Sequence, residues 1–366
     1  MKTIVVSAVN LRKGGTLTIL KNCLEFLSPL AVSGKYRVVA LVHKRELADY
    51  PGIEYIEMPW CVKSWFLRLW CEYVTMRRVS KKLSPVYLWL SLHDTTPNVK
   101  AERRAVYCHN PFPFYKWKWR ELFLNYRIVC FAWFSKYIYR TNIHKNRNII
   151  VQQDWIRKEF VKSFRIGHNK IVIAVPSCAT PGVKSKDNVD GVYRFLFASY
   201  SDIHKNFETL CEAARLLEDE VGAGRFKVVL TIGAEDNKYT HWLYNKWRSV
   251  ESIEFAGFMD KACLYGHYST ADCMVFPSRV ETWGLPISEF AATGKPMLLA
   301  DLPYAHETAA GSRQTAFFDA CNAVELKDLM RRLLDGDNSM LAPVDKLDLE
   351  APVANTWQEL FDTLLG

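Results

Sequence analysis

The stretch "CMVFPSRVETWGLPISEFAATGKP", Cys273 to Pro296, holds a complete structural unit. "CMVF" is a short apolar run closed by Pro277 and reads as a buried strand. Pro286 suits the first turn of a helix, where its missing N–H costs nothing, and Gly294 followed by Pro296 supplies a stop. A helix is therefore expected from about Pro286 to Thr293, with Glu289 in its first turn and Glu281 on the loop before it. A loop can bring these two carboxylates to opposite ends of one small polar ligand. The same spacing also suits a carboxylate that complements the helix dipole and a solvated loop charge.

The strand, loop and helix pattern recurs in both directions. Apolar runs such as "TIVVSA", "YRVVALV", "VYLWLSL", "AVYCHN" and "NIIVQQ", then "KIVIAVP", "YRFLFAS", "FKVVLTIG", "IEFAG", "PMLLA" and "TAFFD", alternate with helical patterns such as "NFETLCEAARLLEDEV". Continuous apolar strands separated by helices indicate parallel sheets covered on both faces, so the expected class is α/β with two Rossmann-like domains. The boundary is expected near residue 165, before "KIVIAVP", giving domains of 1–165 and 166–366, with a closing helix over 354–365 that could pack back toward the first domain. Charge supports this division. Residues 1–165 hold 29 Lys+Arg against 11 Asp+Glu, a net of +18, whereas 166–366 hold 19 against 28, a net of −9. The first domain therefore faces something anionic.

At 366 residues, 49% hydrophobic and 24% charged, the chain has the composition of a folded globular protein long enough for two domains, and disorder is not its default. Its ten cysteines include no C-x-x-C pair and read as reduced core thiols of a cytoplasmic protein. The apolar start "TIVVSAV" is too short for a signal-peptide core, and no segment reaches the roughly 18 apolar residues of a membrane span.

In open parallel sheets, ligands bind beyond the carboxyl ends of the strands. After the first strand, Gly14 and Gly15 open a helix and would let backbone N–H groups approach a phosphate or sugar, or else form a plain turn. They fit neither a Walker loop nor G-x-G-x-x-G. His109 and Asn110 follow "AVYC", where a histidine could bond a sugar hydroxyl, assist proton traffic or be purely structural. Lys205 and Asn206 start a helix after "YRFLFAS"; a cation there opposes the helix dipole, which favours a functional reason such as holding a diphosphate. "DGD", Asp335 to Asp337, superficially suggests D-x-D metal binding but reads as a solvated helix-end turn. No metal site is expected.

Together the glycine pair, "CHNPFPF", "HKNFETL" and "PSRVETWGLPISEFAATGKP" resemble the retaining nucleotide-sugar glycosyltransferases of family four (group 1), which have the GT-B double-Rossmann fold with two parallel sheets facing a central cleft. The resemblance runs from Gly14 to about residue 320, and the Glu-x7-Glu segment is its most specific part. It implies that Glu281 contacts the transferred sugar and Glu289 the nucleotide ribose, that Lys205 holds the diphosphate, and that His109 lies near the sugar. It further implies donor contacts from Gly14, Gly15, Ser199, Trp283, Gly284 and Leu285. One departure stands out. The family often carries an arginine shortly before the lysine, where "ASYSDIHK" offers only Ser199, Tyr200 and His204.

The implied activity is metal-independent retaining transfer of a hexose, with mannose from GDP-mannose as the leading donor, to a glycan or polyprenyl-linked acceptor in bacterial surface polysaccharide synthesis, including lipopolysaccharide. No cofactor beyond the nucleotide-sugar substrate is implied. Residues 60–82 read as an amphipathic helix with apolar Val62, Trp65, Phe66, Leu69, Tyr73 and Met76 opposite Lys63, Arg68, Arg77 and Arg78, and residues 112–127 interleave rings with Lys116, Lys118 and Arg120. Both suit peripheral attachment to an anionic membrane at its inner, cytoplasmic face, and the aromatic faces equally suit a protein core. Two alternatives remain at this point. One is a GT-B enzyme of other chemistry, an epimerase or phosphorylase; the other is a basic nucleic-acid-binding protein, against which the acidic second domain argues, so no nucleic acid is expected as a partner.

Overall fold

The computed structural model describes residues 1–176 and 190–366. Its strands are β1 (Lys2–Ala8), β2 (Tyr36–Val42), β3 (Ile53–Glu57), β4 (Val86–Ser91), β5 (Arg103–Tyr107), β6 (Asn148–Val151), β7 (Ile171–Ala174), β8 (Tyr193–Phe197), β9 (Phe226–Leu230), β10 (Ile253–Phe255), β11 (Cys273–Phe276), β12 (Met297–Ala300), β13 (Thr315–Phe318) and β14 (Val353–Ala354). They form an eight-stranded sheet of order β14-β7-β6-β5-β4-β1-β2-β3 and a six-stranded sheet of order β10-β9-β8-β11-β12-β13. Neighbouring strands run parallel in both sheets.

The continuous apolar runs have the cause expected of them. In β1, Ile4 and Val6 pack into one core cluster and Val5 into another, so successive side chains enter opposite layers and both faces are buried. The first layer is closed by the helix Gly14–Val32 and by the last helix, Trp357–Leu365. Phe361 stacks on Phe26 with centroids 5.2 Å apart, and the Tyr87 hydroxyl donates to the Leu365 carbonyl at 2.8 Å.

The chain divides into two compact units, but not at residue 165. Among the described residues, the first unit holds 1–114, 133–176 and 349–366, and the second holds 115–132 and 190–348. The run "KIVIAVP" does not open the second sheet. As β7 it pairs with β6, placing Ile171 beside Ile149, and it receives β14, with Val353 beside Ile173. Its apolar character records burial without saying which sheet supplies its partners. The segment 115–132 belongs to the second unit although it lies in the basic part of the chain.

The single amphipathic helix expected over 60–82 is also corrected. It is broken into the helix Trp65–Trp70, a π turn Cys71–Thr75 and the helix Met76–Lys82. The extra residue in that turn rotates the apolar stripe. Met76 and Cys71 enter the core, whereas Phe66 is 72% exposed and Trp65 and Trp70 are also exposed. No helix among the described residues is long and apolar enough to cross a membrane.

Candidate functional site

The second unit gathers most of the expected donor residues at the carboxyl ends of β8 and β11. After β11 the chain is anchored from below, with the buried Tyr304 hydroxyl donating to the Ser278 carbonyl at 2.6 Å. Gly284 has φ +87° and caps the seven-residue helix Leu285–Ala291. A Cβ at Gly284 would crowd Ile287 Cδ1 at 3.2 Å and reach Glu281 Cγ at an ordinary 3.9 Å, so the turn needs glycine chiefly for its φ. Trp283 is held at both ends: its Nε1 donates to Ser288 Oγ at 2.9 Å, and its carbonyl accepts from Thr308 Oγ1.

Lys205 ends a short turn, Ile203–Lys205, that follows β8. Its Nζ lies 2.6 Å from Glu281 Oε1, with 13% and 12% of the two side chains exposed. These two residues, 76 positions apart, thus form one largely buried ion pair. The turn owes its shape to Asn206, which takes the left-handed conformation (φ +60°) as the residue before the helix Phe207–Val221. Its Nδ2 donates to the Pro277 carbonyl at 3.0 Å and to the Ala320 carbonyl at 2.7 Å. The asparagine therefore ties the lysine turn to the strand end that carries Glu281.

Glu289 lies further along its helix than expected. The helix starts at Leu285, one residue before Pro286, so Glu289 is past the first turn, and its Oε2 accepts from the buried Tyr268 hydroxyl at 3.1 Å. Burial raises its carboxyl above the ordinary glutamate range, and the Tyr268 bond opposes that only in part. Ser199 is bound through its backbone N–H to Thr231 Oγ1 at 2.9 Å, while its buried hydroxyl has no hydrogen-bond partner among the described residues. Leu285 is partly exposed beside the Gly284 turn.

In the first unit, Gly14 (φ +64°) and Gly15 open the first helix after an extended Lys13, and both are exposed. His109 follows β5 and is nearly buried. Its Nε2 lies 3.0 Å from the Leu92 carbonyl, its backbone N–H donates to Asp94 Oδ1 at 2.5 Å, and its ring stacks on Tyr107 at 4.3 Å. Because a carbonyl can only accept, Nε2 carries the proton and the partnerless Nδ1 keeps its lone pair. Burial lowers the pKa of this ring, which favours the neutral form.

The decoy behaves as a helix end: Arg331 Nε bonds Asp335 Oδ2 at 2.6 Å and Arg332 Nε bonds Asp337 Oδ2 at 2.8 Å. Among the described residues no three His, Cys, Asp or Glu gather as a metal-ligating group.

Sequence reasoning missed two buried polar arrays. In the first unit, His93 Nε2 lies 2.9 Å from Ser7 Oγ and His93 Nδ1 lies 3.0 Å from Thr95 Oγ1, which donates to Glu72 Oε2 at 2.6 Å. Polar residues ending apolar runs, in "VSA" and "SLHDTT", were the available signal. In the second unit, Arg279 Nη1 lies 2.5 Å from Glu121 Oε1, with 7% and 0% of the side chains exposed. Nothing in the sequence links residues 158 positions apart.

Known proteins share this fold. The fold aligns with that of WaaG, a glycosyltransferase involved in lipopolysaccharide biosynthesis, over 92% of each chain at TM-score 0.66 and 14% identity. It also aligns with Anabaena HepE in complex with UDP-glucose, over 93% of this chain and 92% of that one at TM-score 0.60 and 12% identity. Two parallel α/β sheets of this kind make it a GT-B protein. Residues 183–345 match the family described as Glycosyl transferases group 1. The O-antigen chain mannosyltransferase RfbU of Salmonella typhimurium is 21% identical over 251 residues, covering 68% of this chain and 63% of RfbU. The matched region therefore spans less than two thirds of that relative.

Proposed function

We propose that this chain is a retaining hexosyltransferase that takes its sugar from a nucleotide-sugar donor, with mannose from GDP-mannose as the leading candidate, and passes it to a glycan or lipid-linked acceptor of a bacterial surface polysaccharide. The observation that carries this reading is the Lys205–Glu281 pair at 2.6 Å beside the Gly284 turn. A cation and an acceptor group side by side suit the two neighbouring demands of such a donor, a charged diphosphate and a hydroxyl-bearing sugar. The mannosyltransferase similarity of the relative described above supports the choice of sugar.

In the proposed reaction the acceptor hydroxyl oxygen bonds the anomeric carbon on the face from which the diphosphate leaves, the carbon–oxygen bond to the diphosphate breaks, and the hydroxyl proton passes to a diphosphate oxygen. No protein nucleophile and no metal are required. Lys205 stabilises the charge that accumulates on the leaving group, where a preorganised cation is worth most. Glu281 accepts hydrogen bonds from sugar hydroxyls, and Glu289 accepts from the ribose diol. His109, neutral with Nδ1 as acceptor, bonds a sugar hydroxyl.

The test is release of nucleoside diphosphate measured with and without acceptor, guided by a thermal-shift panel of guanosine, uridine, thymidine and adenosine diphosphates. Acceptor-dependent release with a retained anomeric configuration is the expected result. Release without acceptor, or sugar epimerisation, would favour a GT-B enzyme of other chemistry.

Attachment to the cytoplasmic face of an anionic membrane is proposed as well. In the second unit Trp119 is 75% and Phe123 78% exposed, close in sequence to Lys116 and Lys118. The side chain of Arg120 lies outside the described residues. Rings beside cations fit a lipid interface. Vesicle flotation should show binding to anionic and not to neutral lipid, and equal negligible binding to both would remove the membrane from the proposal.

A further inference from the structure

The segment 115–132 joins the second unit, and its buried grip there is made by Glu121. Both carboxylate oxygens of Glu121 are used: Oε1 takes Arg279 Nη1 at 2.5 Å, and Oε2 accepts from the Tyr115 hydroxyl at 2.8 Å. Arg279 also lies over the Tyr115 ring, its Cζ 5.3 Å from the centroid. From that position Arg279 reaches the lysine turn at two points. Its Nη2 donates to the Ile203 carbonyl at 3.2 Å, and its backbone N–H donates to the His204 carbonyl at 2.9 Å. The next residue in the turn is Lys205, and two residues beyond Arg279 is Glu281, so both ends of the ion pair are tethered to the same guanidinium-bearing strand end.

We infer that Glu121 is a positioning residue: through Arg279 it fixes the turn Ile203–Lys205 and so sets where the Lys205 ammonium meets a diphosphate. The inference rests on the reading of Lys205 as the diphosphate cation. A guanidinium that is 7% exposed cannot remain in place without its carboxylate, because an uncompensated buried charge draws in water or moves outward. Its bond to the Ile203 carbonyl would go with it, while the backbone bond to His204 would remain. The turn would loosen rather than unfold. Arg279 thereby lies beside the place where the sequence lacks the family's arginine, but it acts on the lysine rather than on the ligand, since Nη1 and Nη2 are engaged within the protein.

The test compares wild type with Glu121→Gln, Glu121→Asp and Tyr115→Phe. Amide hydrogen exchange on the ligand-free protein reports the turn directly. Glu121→Gln should accelerate exchange at Lys205 and Asn206 by about tenfold, equivalent to roughly 1.4 kcal/mol of local opening. Calorimetric titration then uses the nucleoside diphosphate that the thermal panel selects and the monophosphate of the same base. Glu121→Gln should weaken the diphosphate about tenfold and the monophosphate less than about twofold, with kcat falling and the acceptor KM unchanged. Glu121→Asp keeps the charge and should recover part of the loss. Should Glu121→Gln fail to fold, Tyr115→Phe removes the hydroxyl that donates to Glu121 and should produce the same selective loss at about two- to threefold. Equal loss of both nucleotides, or wild-type exchange at Lys205 and Asn206, would overturn the role given to Glu121. A wild-type protein that binds no nucleoside diphosphate would instead overturn the functional reading, and the exchange data would still decide whether Glu121 orders the turn.

Discussion

Replacing Lys205 with methionine keeps an unbranched side chain of nearly the same length and removes its charge. At 2.6 Å and an effective dielectric constant near 20, the gross attraction to Glu281 is about 6 kcal/mol. Dehydrating the two ions consumes several kcal/mol each, so the pair adds little net stability when intact. Losing one partner is another matter: about 3–5 kcal/mol for a fully buried pair, discounted here to about 2–3 kcal/mol because both side chains keep some contact with water. Lys205→Met should therefore destabilise the second unit by that amount, and Lys205→Met/Glu281→Gln should fall about 1–2 kcal/mol short of the sum of the single changes. The effect on turnover is expected to be larger than stability alone explains. Removing one preorganised group that stabilises developing charge costs about 2.7–4 kcal/mol, or 10²–10³ in kcat. The assay is denaturant unfolding followed by single-turnover transfer at a temperature where each variant is folded. Strictly additive stabilities, or a Lys205→Met transfer rate within about threefold of wild type, would refute the reasoning.

Two other outcomes follow from the same site. Asn206→Ala leaves the Pro277 carbonyl without its buried donor, at about 1–3 kcal/mol, and forces alanine into the left-handed region, at about 1–2 kcal/mol; chemical denaturation should show a loss of about 3–4 kcal/mol, with Asn206→Gly less affected because only the hydrogen bonds are lost. Glu289 gives a pH signature: its folded pKa is raised, so its protonated form contributes stability that is present below the ordinary glutamate pKa and lost as pH rises through the folded value. A ribose diol bonds the ionised carboxylate more strongly than the protonated acid, so nucleotide affinity measured by calorimetry should increase as pH rises through that same interval, and Glu289→Gln should flatten the profile.

Much of the fold was legible because buried parallel strands advertise themselves as unbroken apolar runs, as in β1, β4 and β11. The two strands that went unread lack that signal. Ile53–Glu57 (β3) lies at a sheet edge and mixes its apolar residues with two glutamates, and Val353–Ala354 (β14) is only two residues long. Within the site, Lys205, Glu281, Glu289 and Gly284 could be picked out because their residue types are unusual for their places at strand and helix ends. Glu121 could not. It stands in a basic aromatic stretch that looks like a surface, and its partner is 158 positions away.

The sequence by itself determined the class of fold, two layered α/β units with parallel sheets, since alternation of apolar runs and helical patterns is a local property that survives without knowledge of neighbours. It also determined the Gly284 turn, because glycine takes that left-handed backbone angle without the steric penalty of a side chain. Tertiary structure alone decided that β7 joins the sheet of the first unit, that 115–132 belongs to the second, and that Lys205 and Glu281 share one ion pair. The physical reason is that strand partners and buried charge pairs are chosen by competition among distant segments for the same desolvated surface, and that competition leaves no mark on the local order of residues.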